Sequence, residues 1–225
     1  MTNCNICAVI PAYNAAKTVK QVVNDLKECS KDIQIIVVND GSTDTTESIV
    51  KDLDILYLEH KKNLGKGTAL RSGFRRALSL APRYILTLDA DAQHNPKNLA
   101  KFVNKLEDDD LDFVIGSRMS DISGMPLHRI LSNRITSKLI SWRIGQNIVD
   151  SQSGFRLIRA NVLRNMTLNS KRFELESELL IKAGLNGYKI GFANIETIYH
   201  KNQFSSMKII DIFRFVILYL KSFFW

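Results

Sequence analysis

"IQIIVVND", residues 33–40, decides the architecture. Its apolar run barely alternates and is rich in β-branched Ile and Val, the pattern of a parallel strand covered on both faces. It closes on Asn39 and Asp40, and Gly41 then turns the chain into "STDTT" (42–46), rich in residues that cap helices. A buried strand that ends in polar residues and hands over to a helix is the repeating unit of an α/β sheet. In such sheets ligands sit outside the carboxyl ends of the strands.

The same unit recurs on either side. Upstream, "ICAVIPAYN" (6–14) reads as a strand and 17–29 as a helix. Downstream, the pattern predicts a helix over 43–53, a strand at "ILYLE" (55–59) and a helix over 66–80. Then come a strand at "RYILTLD" (83–89), a helix begun by Pro96, and a strand at "DFVIGSR" (112–118). The alternation predicts a doubly wound, mostly parallel sheet with helices on both faces. Beyond about residue 119 the pattern loosens into a loop "MSDISGMP" and a helix over 127–144 that carries Arg129, Arg134, Lys138 and Arg143. A turn into a strand follows at "DSQSGFRLIR" (150–159), with Gly154 read as the turn residue, then a helix over 174–185 and an extended stretch over 188–200. One domain is expected over 1–207, followed by an amphipathic helix over 208–225.

Composition agrees with one soluble-type domain: 225 residues, 45% hydrophobic and 24% charged. The net charge of +8 favours anionic partners such as phosphorylated metabolites, acidic lipids or nucleic acid. Nucleic acid is not expected, because helix-turn-helix, zinc-finger and aromatic-rich RNA-binding signatures are all missing. The start, "MTNCNICAVIPAYN", lacks a basic segment followed by a long apolar one, so no secretory signal is expected. The 3 cysteines are too few for a disulfide framework, and Cys4-x-x-Cys7 lacks the second pair a zinc site needs. A reducing, cytoplasmic setting fits. The tail "KIIDIFRFVILYLKSFFW" (208–225) is uninterruptedly apolar only over 215–220, too short for a span of about 20 residues. It reads either as a packed helix or as one lying in a membrane interface, with 223–225 at headgroup depth.

Polar residues at strand exits carry the chemistry. Asp89, Asp91 and Gln93 in "LTLDADAQHNP" (86–96) offer the hard oxygens that Mg²⁺ or Mn²⁺ takes together with substrate phosphates. The alternative is helix capping by Asp91 or Asn95 ahead of Pro96. Asp40 either closes a turn or accepts hydrogen bonds from a ribose or base. "NLGKGTALRSG" (63–73) is a glycine-bearing loop entering a helix, with Lys66 set to meet phosphate, although it lacks a full Walker or dinucleotide fingerprint.

In chain order, "PAYN", "VVNDGSTDTT", "NLGKGTAL", "LTLDADAQHNP", "VIGSR", "DSQSGFRLI" and "FELESELLIKAGLNGYKI" resemble the GT-A fold, family-two glycosyltransferases. More narrowly, they resemble the dolichyl- and polyprenyl-phosphate hexosyltransferase branch, over roughly residues 5–210. The resemblance implies inverting transfer of a hexose from a nucleotide-diphosphate sugar (UDP-glucose or GDP-mannose type) to a polyprenyl or dolichyl phosphate, with Mg²⁺ or Mn²⁺. It assigns Pro11, Ala12, Tyr13, Asn14, Asp40, Lys66 and Asp89 to the nucleotide, and Asp89, Asp91 and Gln93 to the metal and diphosphate. Glu176 and Glu178 match an acidic helix near the sugar, where one orients the hexose or acts as a base beside Asp91. Arg118, Arg129, Ser132 and Lys208 match the positions that gather the lipid phosphate, and Asp150 and Gln152 shape the same pocket. Two departures, Ala15 and Asn39 where many relatives are acidic, bear on which nucleotide is held.

A phosphate monoester is already largely anionic near neutral pH, its second pKa being about 6, so it needs cations rather than a base. The alternative acceptor, a sugar hydroxyl of a surface polysaccharide or lipopolysaccharide, would need Glu176, Glu178 or Asp150 as an obligatory base. The lipid acceptor implies a membrane surface as partner, with the protein peripheral at the inner face of a membrane.

Overall fold

Strand β1 (Ile6–Ala12) sends Ile6, Ala8 and Ile10 to one side and Cys7 and Val9 to the other, and all five are buried. This two-residue alternation places a hydrophobic layer on each face of the sheet. The computed structural model describes residues 5–30, 32–196 and 209–225. Within them, β1 leads through α1 (Val19–Cys29) to β2 (Gln34–Asn39), then through α2 (Thr46–Lys51) to β3 (Leu56–Glu59). Helix α3 (Lys66–Leu78) leads to β4 (Tyr84–Thr87), and a short turn at Pro96–Asn98 opens α4 (Leu99–Asp108). Strand β5 (Phe113–Ser117), α5 (Leu127–Ile144), β6 (Arg156–Arg159) and α6 (Ala160–Arg164) follow. The chain continues with α7 (Glu174–Leu185), β7 (Ile190–Asn194) and α8 (Ile209–Lys221).

The sheet order is β3-β2-β1-β4-β6-β5-β7, with β6 antiparallel to both of its neighbours. The alternation of strands and helices predicts this mostly parallel sheet, but apolar runs identify strands without identifying their partners. The insertion of β6 between β4 and β5 is therefore a structural finding. It brings the "DSQSG" turn beside the exit of β4, where the acidic pair lies.

Helices α1, α2 and α4 cover one face through Val19, Val23, Leu26, Val50, Phe102 and Leu106. Helices α3, α5, α7 and α8 cover the other through Leu70, Phe74, Ile140, Leu179, Phe215 and Tyr219. Cys7 lies in this second layer as a free thiol whose pKa burial pushes up to about 12, so it is inert packing; Cys4 lies outside the described residues.

Helix α8 packs on the domain through one side and leaves its other side exposed. Phe215, Leu218 and Tyr219 pack inward, and Arg143 on α5 donates to the Ser222 carbonyl at 2.5 Å. Phe213, Val216, Ile217 and Leu220 point outward and are exposed. No helix among the described residues is long and apolar enough to cross a membrane.

Candidate active site

The loops leaving β1 and β2 are laced together. Asn14 takes a left-handed conformation (φ 51), which its short polar side chain tolerates. Its Oδ1 accepts from Thr43 N at 2.8 Å, and its own N–H donates to Ser42 Oγ at 2.9 Å. Asp44 accepts from Ala16 N and Thr46 Oγ1. At the two departures from the resembled family, Ala15 N–H donates to Thr46 Oγ1, and Asn39 bonds Tyr57 and Ser42 N.

Asp40, buried at the end of β2, performs a task beyond turn closure. Its Oδ2 accepts from Gly65 N at 2.8 Å, and its Oδ1 from Leu64 N at 3.0 Å, with His60 Nδ1 2.7 Å away. The carboxylate thereby ties β2 to the glycine loop. Gly65 has φ 100, and a Cβ there would come within 2.5 Å of the Lys171 carbonyl, so only glycine fits. This geometry sets Lys66 as the first residue of α3.

Lys66 is the hinge of the electrostatics. Its Nζ lies 2.6 Å from Asp89 Oδ1 and 3.0 Å from Glu176 Oε1. Burial opposes the ammonium charge, but Asp89 and Glu176 outweigh it and raise the lysine's pKa. Likewise Lys66 outweighs burial at Asp89 and keeps that carboxyl below its ordinary range. Asp91 has no such partner. Burial first, and the neighbouring Asp89 charge second, push it up to about 6. One carboxylate is neutralised internally and the second is left short of positive charge.

Asp91 is not the helix cap. Asn95 Oδ1 accepts from Lys97 N at 3.0 Å and caps the Pro96–Asn98 turn. Asp91 Oδ1 accepts from Gln93 N across Ala92, whose φ of 57 is a left-handed conformation costing a residue with Cβ about 1–2 kcal/mol. Strain of this kind gathers at functional sites. Gly154 serves Asp89 and not the turn: it does not have a positive φ, and a Cβ there would lie 2.4 Å from Asp89 Oδ2. Among the described residues no group of three or more His, Cys, Asp or Glu gathers around a common point. Asp89, Asp91 and the Gln93 amide suit Mg²⁺ or Mn²⁺, which take one or two carboxylates and leave other positions to water and phosphate.

Two cavities meet here. One of about 560 Å³ is lined by Pro11, Ala12, Tyr13, Asn14, Asp40 and Gly65. The other, about 480 Å³, has Gln93, Arg118, Arg129, Ser132, Gln152 and Glu176 on its polar side. Leu131, Ile135, Ile212, Phe215 and Val216 form its apolar side. Lys66, Asp89, Asp91 and Phe173 line both.

Asp150 and Glu178 line neither cavity. Asp150, fully buried, takes Arg118 Nε at 2.9 Å on Oδ2 and Nη2 at 2.9 Å on Oδ1. Asn133 adds a 2.8 Å bond. Asp150 therefore positions Arg118 and does not face the cavity. Burial works against its charge, but Arg118 prevails and lowers its pKa. Glu178 accepts from Asn169 N, Ser170 N and Lys182 Nζ, is 1% exposed and lines neither cavity. Its bonds hold the loop before α7, because two residues along a helix is a turn of about 200°, which sets it on the side opposite Glu176. Glu178→Gln is expected to cost about 1–3 kcal/mol of stability, by weakening charged hydrogen bonds, while transfer stays within a few-fold. Melting curves and steady-state rates on the same preparation check it. Lys208 lies outside the described residues.

Sequence reasoning missed His94, Asn133 and Phe173. His94 is buried beside Phe155, its Nδ1 has no hydrogen-bond partner, and burial lowers its pKa to about 4, so it faces the second cavity as a neutral ring. Asn133 had a signal: Ser132, Asn133, Thr136 and Ser137 put small polar groups on one helix face, matching the equally polar "DSQS". Their network joins Asn133, Ser137 and Ser151.

The family described as "Glycosyl transferase family 2" matches residues 7–167. UDP-N-acetylglucosamine–dolichyl-phosphate N-acetylglucosaminyltransferase of Methanococcus voltae is 35% identical over 216 residues, covering 86% of this chain and 86% of that one. Glycosyltransferase AglJ of Haloferax volcanii is 29% identical over 186 residues, covering 82% of this chain and 60% of that one. Among solved structures, glucosyl-3-phosphoglycerate synthase of Mycobacterium tuberculosis, in complex with Mn²⁺, UDP-glucose and phosphoglyceric acid, superposes with a TM-score of 0.74 at 18% identity. That match covers 98% of this chain and 80% of the synthase, and shows a shared GT-A-like fold.

Proposed function

The chain belongs to glycosyl transferase family 2, and from that premise we propose that it transfers a sugar from a nucleotide-diphosphate donor to a polyprenyl phosphate of the dolichyl type. The observation that carries this reading is the pair of cavities meeting at Lys66, Asp89 and Asp91, one at the exits of β1 and β2 and the other with an apolar side between α5 and α8. The donor nucleotide would occupy the cavity beside Pro11, Ala12, Tyr13, Asn14 and Asp40. The acceptor phosphate would enter the other, between Arg118 and Arg129. The similar Methanococcus voltae protein, named for a UDP-sugar donor and a dolichyl-phosphate acceptor, supports both assignments and favours an N-acetylhexosamine as the sugar.

In the reaction an acceptor phosphate oxygen bonds to the anomeric carbon as the carbon–diphosphate bond breaks on the opposite face, through an oxocarbenium-like state. A divalent ion held by Asp89, Asp91 and Gln93 would supply Lewis-acid stabilisation to the leaving group, as the Mn²⁺ of the structurally similar synthase suggests. Lys66, already between Asp89 and Glu176, adds a fixed cation beside that group. Arg118, locked by Asp150, holds the incoming phosphate with its charge preorganised. A hydroxyl acceptor would require a base. Of the carboxylates named for that task, Glu176 is paired with Lys66, Asp150 with Arg118 and Glu178 with Lys182. This favours the phosphate acceptor over the polysaccharide alternative. A lipid-borne acceptor brings the enzyme to a membrane surface as a peripheral protein.

A thermal-shift panel of UDP, GDP and their sugars, with and without Mn²⁺, tests the donor. Ligand at 100 times its Kd adds about 2.7 kcal/mol, a rise of roughly 5–10 °C for a chain of this size. The uridine compounds with Mn²⁺ are expected to give it. Radiolabelled transfer to polyprenyl phosphate tests the acceptor, and transfer to free saccharides without transfer to lipid phosphate overturns the reading.

A further inference from the structure

Helix α5 has an exposed side that its role in the core does not explain. Leu127, Leu131, Ile135 and Trp142 follow one another at steps of four, four and seven residues, so they share one side of the helix. Leu127 is 83% exposed and Trp142 73%. Arg134 and Lys138 stand one heptad after Leu127 and Leu131, on the same side and exposed, and α5 carries no acidic residue. Helix α8 presents a second exposed apolar side through Phe213, Val216, Ile217 and Leu220, continued by Phe224 at 90% exposure. The two helices are neighbours: the Trp142 and Phe223 rings lie 6.0 Å apart, and Arg143 reaches Ser222. Between them opens the apolar side of the second cavity, where Leu131 and Ile135 face Ile212 and Val216. All four are also exposed, so the cavity mouth and the outer face are one surface.

We propose that this α5–α8 face is a docking surface for an anionic lipid bilayer, with the cavity mouth opening into the membrane. The inference rests on the lipid-acceptor reading for its purpose and on the two helix faces for its evidence. Apolar side chains interleaved with Arg and Lys, flanked by Trp and Phe, form the composition that lies at a headgroup boundary, the cations reaching lipid phosphates while the apolar groups sink below them. Charge complementarity selects the occupant. A second copy of the same basic α5 face would set Arg134 and Lys138 against like charges, whereas an anionic leaflet neutralises them. An acceptor's tail could then remain in the bilayer while its phosphate rises between α5 and α8 to Arg118, so the long apolar chain never crosses water.

Of the chain's 2 tryptophans, Trp142 lies on this surface and reports on it directly, while the Trp225 ring stands 4.7 Å from Lys182 Nζ on α7. With vesicles containing phosphatidylglycerol, the protein is expected to co-sediment, and its emission to shift to the blue and be quenched by brominated lipid. The triple variant Leu127→Glu, Phe213→Glu, Phe224→Glu alters only exposed residues that do not line the cavity. It should keep its melting temperature and its rate on a short-chain, water-soluble isoprenyl phosphate, and lose at least tenfold in vesicle affinity. Arg134→Gln with Lys138→Gln should weaken binding to anionic vesicles by roughly fivefold per charge and leave binding to neutral ones unchanged. Absence of vesicle binding by the wild type overturns the proposal, as does equal binding by the triple variant. A wild-type dimer that the triple variant dissolves, without vesicle binding, assigns the face to a second copy and also overturns it. Transfer by the wild type to polyprenyl phosphate in detergent separates the two readings. Transfer without vesicle binding rejects this surface alone, and vesicle binding without transfer rejects the acceptor.

Discussion

Asp91→Asn is expected to lower transfer by about a thousandfold or more, the largest catalytic effect in the chain. Lewis-acid stabilisation of a departing diphosphate is worth several kcal/mol, and each 1.4 kcal/mol is about tenfold in rate. The substitution leaves the backbone bond from Gln93 N with an oxygen to accept it, so the loop should survive. Binding of Mn²⁺ in the presence of UDP, followed by its paramagnetic resonance, should weaken in parallel, giving a readout independent of turnover. Stability is expected to move the other way. A carboxyl whose folded pKa is raised loses stability as pH climbs from its unfolded value of 3.8 through about 6. The Asn variant, free of that charge, should melt above the wild type at pH 8, and the gap should close below pH 4. Full activity in the variant, or unchanged Mn²⁺ binding, removes the foundation of the metal-assisted mechanism.

Asp150→Ala is expected to produce the largest loss of stability, about 3–5 kcal/mol, because it strands Arg118 inside the protein without its carboxylate. For a chain of this length that is roughly 10 °C in Tm. Arg118→Ala should cost a similar amount, since it leaves a fully buried carboxylate paired only with Asn133 and backbone donors. Replacing both partners with apolar residues should recover most of the stability and none of the transfer, which separates positioning from folding. The pH dependence has the opposite sign from that of Asp91. Asp150 has a lowered pKa, so its contribution is complete above 3.8 and lost as pH falls further through the depressed value. The acid limb of the melting curve should therefore be shallower for Asp150→Asn than for the wild type. A variant melting within 2 °C of the wild type, about 1 kcal/mol or less, contradicts the reading of Asp150 as the anchor of Arg118.

The acidic pair shows how far local pattern reaches. Asp89 and Asp91 follow a fully buried strand, and their position at its exit is legible from residue types alone, as is Asn14 at the end of the first strand. Their electrostatic difference is not legible. It depends on Lys66 reaching Asp89 from 23 positions earlier in the chain and on Glu176 closing the bridge from α7. Glu176 and Glu178 illustrate the same limit. In sequence they are two glutamates on one helix. In space one faces the cavity, and the other is spent on the loop at Asn169 and Ser170.

What the sequence by itself determined was the strand–helix alternation, the mostly parallel sheet and the placing of Asn14, Asp40, Asp89 and Asp91 at the carboxyl ends of strands. These follow from hydrophobic periodicity and turn chemistry, which act over a few residues and leave their mark in any short window. Tertiary structure alone decided that β6 inserts antiparallel beside β4, that Asp150 serves Arg118, that Gly154 makes room for Asp89, and that α5 and α8 share one apolar face. Each of those rests on a contact between residues far apart in the chain, whose burial and charge are set by partners no local pattern names.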